Sequence, residues 1–342
     1  MTKPIAIHDC PLSFSDRWIE YCREKAVDYR IVDCYSSDII DRLRSHSALL
    51  WHWGLREPHS FLIARSVITA AEKMGLLVYP NSDTAWHYDD KLAQKYLLEA
   101  IGAPLIKTEV FFNLHGAESW IGKAEFPLVF KLRNGSASSN VRLVRSRGEA
   151  LGLCRKAFSR GFNSIPGYLY DRDKKIKTVR DWSDFSRKLK RLPGALKKIS
   201  QTRNLLPREK GYIYFQEFIP GVSNDIRITV IGKRAFAYTR SVRPNDFRAS
   251  GSGLNSYDQE RIPRECIKVA FKITEEIHAQ SLACDFIQDK DKNIHLTEVS
   301  YGFPRQHIAD APGYWDDDLI WRDNRIAAED AIIEDMINSL EN

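Results

Sequence analysis

The chain has 342 residues, 43% hydrophobic and 28% charged, with 51 Lys and Arg against 45 Asp and Glu. That length exceeds one ordinary core and fits two or three packed subdomains, and the composition is that of a globular protein rather than a disordered or fibrous one. No apolar run approaches the ~20 residues that span a bilayer, and the opening MTKPIAIHDCPLSFSDRW lacks the long apolar stretch of a secretory signal. The expectation is a cytoplasmic enzyme with no membrane partner.

The first 80 residues alternate short apolar runs (PIAIHDC, DYRIVDC, SALLWHW, GLLVYP) with amphipathic stretches (FSDRWIEYCREKA, SSDIIDRLRS, HSFLIARSVITAAEKM). Strand–helix alternation of this length predicts a parallel sheet with helices on its faces. No GxGxxG follows the first run, so a dinucleotide-binding site has no support. Asn81-Ser82-Asp83 is a turn or cap, and DDKLAQKYLLEAIG reads as a helix stopped by Gly102 and Pro104. Next come a strand in KTEVFFNL, a helix around 117–124, the strand FPLVFKL, the polar loop RNGSASSN and the strand VRLVRS.

A helix near 147–160 precedes a basic segment, residues 171–210, with 14 Lys and Arg against 5 Asp and Glu. Strands resume at YIYFQEFI, DIRITVIG and RAFAYTRS, followed by the helix RECIKVAFKITEEIHAQ. LACDFIQ and IHLTEVS form a hairpin around DKDKN, and the helix AAEDAIIEDMINSLE closes the chain. The six cysteines (Cys10, Cys22, Cys34, Cys154, Cys266, Cys284) lie far apart without a CxxC pair, so they read as reduced, packed thiols.

Asp285 sits within the apolar run LACDFI and Glu298 within IHLTEV. A hairpin centred between Asp291 and Lys292 places the two carboxylates opposite one another, roughly 5 Å apart on one face. Two buried acids that close repel, and each is costly to bury unpaired. Two explanations stand for such a pair: a bound Mg²⁺, which prefers carboxylate oxygens and brings phosphates with it, or satisfaction by Arg or Lys; a different register would separate the acids altogether. On the repulsion argument, neutralising either acid raises the melting temperature without ligand. Lys131 ends FPLVFKL just before the Gly/Ser loop, a natural position for a phosphate clamp, although that loop has no GK[ST] of a P-loop. A strand-end lysine can equally be a solvated one. Gln216–Ile219 with Asp225 and Arg227 is, by itself, an amphipathic strand pair.

The order of these pieces carries more than any one of them. DDKLAQK, FPLVFK with its Gly/Ser loop, YFQEFI…DIRITVIGKRAFAYTR and ACDFIQDKDKNIHLTEVS together resemble the ATP-grasp superfamily over about 215 residues. The second half is most similar to the ribosomal-protein glutamate ligase branch. The resemblance implies an α/β ATP-grasp fold. It would consist of an N-terminal parallel α/β domain (residues 1–85), a subdomain with the phosphate loop and a basic insertion at 165–210 (86–213), and a C-terminal subdomain with the hinge and metal site (214–342). It further implies ATP and Mg²⁺ (two ions, with Mn²⁺ as a substitute). Lys91, Lys131 and the loop residues Gly135, Ser136 and Ser138 would hold phosphates. Glu217 and Ile219 would meet adenine, with Gln216 nearby, and Asp225 the ribose. Arg227, Arg240 and Arg248 would face the phosphates or an acyl phosphate, and Asp285, Glu298 and Ser300 would hold metal. The chain departs from the pattern at GSASSN, which has fewer glycines, at Ser300 in place of Asn, and at Phe247-Arg248-Ala249-Ser250 in place of FRSN.

The implied reaction joins a carboxylate to an amine through an acyl phosphate. The acid would belong to a small molecule, a glycan or a peptide. Arg305 and His307, after EVSYGFP, are candidate substrate contacts. A kinase on the same fold would need the same γ-phosphate machinery, and a nucleotide-binding module with weak catalysis is a third reading. The basic segment reads either as a lid attracting a polyanionic substrate or as a solvated helix pair. Nucleic acid is disfavoured, because Trp182 and Phe185 are its only clear stacking residues beyond the edge Tyr170. A homodimer is the oligomeric expectation.

Overall fold

A computed structural model describes residues 3–54, 57–135, 140–163, 208–242 and 254–341. Ser136, Ser138, Arg248 and all but the last three residues of the basic segment lie outside the described residues. No helix among the described residues is long and apolar enough to cross a membrane.

The first layer contains β1 (Ile5–His8), α1 (Ser15–Glu24), β2 (Tyr29–Val32), α2 (Ile39–Leu43), β3 (Ala48–Leu50), α3 (Ser60–Lys73) and β4 (Leu77–Tyr79). The four strands form a parallel sheet in the order β2-β1-β3-β4. β1 and β3 are buried along their whole length, which accounts for their unbroken apolar sequence. The chain's last helix, α10 (Ala328–Glu341), packs on α1. Arg17 forms a two-pronged ion pair with Asp330 at 2.6 and 2.9 Å, and the indole of the fully buried Trp18 donates to the Glu329 carbonyl. Both ends of the chain therefore build the core under this sheet, with Ile5, Ile7 and Trp18 meeting Ala331, Ile332 and Ile333.

After the short α4 (Ser82–Ala85) comes α5 (Lys91–Ala100), capped by Asp90, whose carboxylate accepts from the amides of Leu92 and Ala93. A four-stranded antiparallel sheet follows, ordered β5-β8-β6-β7, from β5 (Thr108–Phe111), β6 (Leu128–Lys131), β7 (Val141–Val144) and β8 (Ile213–Glu217). Helices α6 (Leu114–Ile121) and α7 (Arg147–Ala157) close its core: Ala117, Ile121, Ala150, Leu153 and Cys154 meet Phe130 and Phe215.

The largest sheet runs β13-β12-β9-β10-β14-β15, with β11 paired to β10. Its strands are β9 (Asn224–Ile231), β10 (Arg234–Ser241), β11 (Asn255–Ser256), β12 (Ser281–Gln288), β13 (Ile294–Ser300), β14 (Tyr314–Asp316) and β15 (Trp321–Arg322). β9 shows why the sheet is two-faced: Ile226, Ile228 and Val230 alternate with Asp225, Arg227 and Thr229. The isoleucine face is covered by α8 (Arg264–Glu276), which buries Cys266, Ile267, Ala270, Ile273 and Thr274 at helical spacing. The polar face is left to build the site. All six cysteines are buried, and none is in a disulfide.

Candidate active site

The register of the large sheet places Glu298, Asp285, Arg227 and Tyr238 directly opposite one another on β13, β12, β9 and β10. Directly opposed residues share a face, so these four side chains form one polar line across the sheet. Asp225 and Arg240 form a second, parallel pair two residues along. A register shift follows Asp285, a bulge of the kind that aims side chains at functional sites.

Asp285 is not left to repel Glu298. Its carboxylate accepts from Arg227 Nε at 2.5 Å and Nη2 at 2.6 Å, and Arg240 Nη2 lies at 2.9 Å. Arg240 also grips Asp225 through two bonds of 2.7 and 2.6 Å. Two buried acids and two arginines thus alternate in an ion lattice that runs Arg227–Asp285–Arg240–Asp225. Burial alone would raise the Asp285 pKa, but the charges and hydrogen bonds of Arg227 and Arg240 outweigh it and hold the carboxyl well below the usual range. For Asp225, burial dominates over Arg240 and pushes the group up to about 6. Of the two explanations for paired acids, satisfaction by arginine is present in the structure for Asp285. It does not remove the other: a carboxylate offers about four lone-pair sites, and three N–H groups leave one.

Glu298 differs. Its side chain is 31% exposed into the cleft, and Lys91 Nζ lies 3.8 Å from Oε2. Lys91 is buried, and its ammonium donates to the Gly135 carbonyl at 2.7 Å. The two residues before it do related work. Asp89, in the left-handed region at φ 51°, accepts from the Gly135 amide at 2.9 Å, and its carbonyl accepts from the Asn134 side chain. Asp90 pairs with Arg133 through both prongs of the guanidinium. The Asp89-Asp90-Lys91 triplet therefore anchors the start of the phosphate loop, a role for both aspartates that the sequence reading missed. The only signal was their adjacency to Lys91.

Lys131 ends β6 inside the same cleft and, among the described residues, has no carboxylate within ion-pair distance. Burial lowers its pKa to about 8, with Glu298 and Asp285 pulling the other way. The cleft runs between the two antiparallel sheets. Ile106, Val129, Val141, Val222 and Ile287 line it together with Lys91, Lys131, Asp285 and Glu298. Gly135, Gln216, Glu217, Ile219 and Asp225 also line it, and Gln216 is pinned by its amide to Thr108 Oγ1 at 3.2 Å.

Three expected residues are placed otherwise. The Ser300 hydroxyl is engaged in its own turn, donating to the Gly302 carbonyl and accepting from the Gly302 amide. Arg305, on the short helix α9 (Arg305–Ala309), donates to the Ser13 carbonyl at 3.0 Å and meets Glu329 at 3.3 Å, tying the site to the first layer. His307 stands beside Tyr238, with Nδ1 2.8 Å from its hydroxyl. A wider cavity between the β9–β10 turn and α10 lies away from this chemistry, and its cations are spent on Asp335 and Asp317.

Paired antiparallel sheets gripping an amphipathic cleft, with lysines and opposed carboxylates among its walls, are the architecture of the ATP-grasp fold. Residues 195–307, about a third of the chain, match the RimK-like ATP-grasp domain. It is similar to the alpha-aminoadipate–LysW ligase LysX of Saccharolobus solfataricus, 24% identical over 239 residues that cover 69% of this chain and 70% of that one. Among solved structures, the RimK domain ATP-grasp protein of Sphaerobacter thermophilus superposes with a TM-score of 0.52 at 15% identity, covering 89% of this chain and 93% of that one. The ATP-grasp ligase PsnB, complexed with minimal precursor, Mg and ADP, superposes at 0.53 and 11% identity, covering 99% and 98%.

Proposed function

We propose that the protein is an ATP-dependent carboxylate–amine ligase that works through an acyl phosphate with Mg²⁺. The observation that carries the reading is the cleft itself, in which apolar side chains suited to a purine meet two lysines and two opposed carboxylates suited to Mg²⁺ and phosphates. Its similarity to an alpha-aminoadipate–LysW ligase supports the reaction class.

The donor set fits Mg²⁺. Among the described residues no group of three or more His, Cys, Asp or Glu side chains converges, so the chain would supply Asp285 and Glu298 and leave the other positions to phosphate and water. Bound there, the ion would neutralise charge on the transferring phosphoryl group. The finer expectation of two ions, with Mn²⁺ as a substitute, belongs to the same proposal. Ser300, engaged in its turn, would contribute least. Lys131 and Lys91 would carry phosphate charge, Lys91 while holding Gly135 in place. Gln216, Glu217 and Ile219 would border the base and Asp225 the ribose. Arg227 and Arg240 would face the acyl group, and the substrate pair would be a carboxylate of a small molecule or peptide with an amine.

Lys131 gives a proton-linked test. With its free pKa near 8, it is partly neutral at pH 8, and phosphates arriving beside it favour the charged form. Binding of a non-hydrolysable ATP analogue is expected to take up a fraction of a proton at pH 8 and almost none at pH 6, read by calorimetry in buffers of different ionisation enthalpy. Lys131→Met removes that uptake and weakens binding roughly 10- to 150-fold, the scale of a charge-assisted contact of ~1.5–3 kcal/mol. Proton-neutral binding at pH 8 with unchanged affinity in the variant would remove the clamp assignment.

The reaction itself is tested by incubating the protein with MgATP, candidate acids and candidate amines. The ligase reading expects ADP, phosphate and an amide in equal amounts. A stable phosphorylated acid or alcohol as final product would instead make the protein a kinase.

A further inference from the structure

The polar line across the large sheet does not end at Tyr238. Its hydroxyl meets His307 Nδ1 at 2.8 Å, with the rings perpendicular and 5.0 Å apart. On the other side of Tyr238 stands Tyr257, with ring centroids 5.6 Å apart, two residues after Asn255, which pairs with Arg240. Asn255 Oδ1 and the Tyr257 hydroxyl are buried within reach of one another, without ideal hydrogen-bond geometry.

The proton on His307 can be located from its neighbours. Arg227 stands directly opposite Tyr238 on the neighbouring strand, and a guanidinium can only donate. With that cation facing the phenol oxygen, the orientation it favours turns the Tyr238 O–H toward His307 Nδ1. Burial, then the charges of Arg227 and Arg240, lower the imidazole pKa and favour its neutral form. A neutral His307 with Nδ1 as acceptor carries its hydrogen on Nε2. Among the described residues no group is bonded to that nitrogen.

We propose that His307 Nε2–H donates to the acyl oxygen of the carboxylate substrate, with Tyr238 as its positioning residue. This rests on the ligase reading above. In the first step one carboxylate oxygen bonds to the γ-phosphorus as the β,γ-bridging P–O bond breaks and ADP leaves with that electron pair. In the second the amine lone pair adds to the acyl carbon and the C=O pair moves onto oxygen. That pair then returns to expel phosphate, and the surplus amine proton leaves to phosphate or solvent. The acyl oxygen that transiently holds the pair is the one His307 serves.

The first measurement needs no substrate. In protein labelled with ¹⁵N-histidine, the His307 signals are identified by their loss in His307→Gln. Nε2 protonated and Nδ1 unprotonated is the expected state, and Tyr238→Phe should redistribute the proton between the two. Hydroxylamine trapping of acyl phosphate with MgATP over the twenty amino acids and simple dicarboxylic acids finds the acid, and hydroxylamine then serves as the amine at concentrations where its addition to the acyl carbon limits the rate. There His307→Ala is expected to lower the rate of hydroxamate formation about 100-fold, the scale of one preorganised oxyanion donor, with the KM for ATP unchanged. His307→Gln, which keeps an N–H donor, should lose less than about 10-fold on the same scale. Calorimetry with the ATP analogue confirms that each variant still binds nucleotide. A proton on Nδ1, or an unchanged rate in His307→Ala, overturns the proposal alone. No hydroxamate from the parent with any acid, while the analogue still binds, counts against the ligase reading and takes the proposal with it.

Discussion

Replacing Asp285 with Asn is expected to cost about 3–5 kcal/mol of stability without ligand, the range for removing one partner of a buried ion pair, and to abolish ATP turnover. The stability loss comes from the arginines. Asp285 takes three N–H groups from Arg227 and Arg240, and neither guanidinium can be neutralised, so a neutral amide leaves both buried with one carboxylate between them. Neighbouring Asp225 already spends both oxygens on Arg240 and leaves Arg227 without a carboxylate. From sequence the opposite sign is expected, because two facing acids repel and removing one charge should help; the arginines reverse it. The pH dependence follows from the depressed Asp285 pKa. A carboxyl held below its unfolded value of about 3.9 contributes stability that is present above that pH and lost as pH falls toward its folded value. Denaturant titrations from pH 5 down to 2 should show this loss in the parent and its absence in Asp285→Asn. A variant as stable as the parent at pH 7 would contradict the lattice as an energetic unit.

Glu298→Gln is the cleaner assault on catalysis. Glu298 is partly exposed and, among the described residues, its ion pair is with the Lys91 ammonium at 3.8 Å, so its neutralisation should change stability by less than about 1 kcal/mol. Its carboxylate is nevertheless the more available of the two acids for an ion, since Asp285 is surrounded by guanidinium groups. Turnover is expected to fall by about 10³-fold, the upper scale for losing one preorganised electrostatic contact at a reacting group. Thermal unfolding supplies an independent reading. MgATP at a hundred times its dissociation constant stabilises the parent by about 2.7 kcal/mol, and most of that shift should vanish in the variant. A full shift together with parental turnover would take Glu298 out of the metal site.

Much of the architecture is legible in the sequence because it is local. The alternation through residue 79 reports a parallel sheet directly, since buried strands and amphipathic helices have different periods. The hairpin itself is legible, but its turn is centred on Asp291, a register that alone would set Asp285 opposite Thr297; the bulge after Asp285, which the sequence does not show, moves the pairing to Glu298. What the sequence hides is long-range. Arg227 meets Asp285 from 58 positions away, and only because β9 pairs with β12 across the intervening β10 and α8. Asp89 reaches Gly135 across 46 positions, and Arg17 reaches Asp330 across 313. β14 and β15 are three and two residues long, too short to show a period. Ser300 and Arg305 are reasonable site residues by chain position, yet the turn at Gly302 and the carbonyl of Ser13 claim them. Chain position does not report which way a side chain is spent.

The most direct test of the central claim follows one oxygen atom. Once an acid substrate is found, it is supplied with its carboxylate labelled in ¹⁸O, together with MgATP and the amine, and the phosphate released is weighed by mass spectrometry. Attack of the carboxylate on the γ-phosphorus, then displacement by the amine, leaves one substrate oxygen behind in phosphate. The account predicts one ¹⁸O per phosphate, matched to one amide formed and one ADP released. Unlabelled phosphate accompanying amide formation would rule out the acyl phosphate and, with it, the roles proposed here for the cleft.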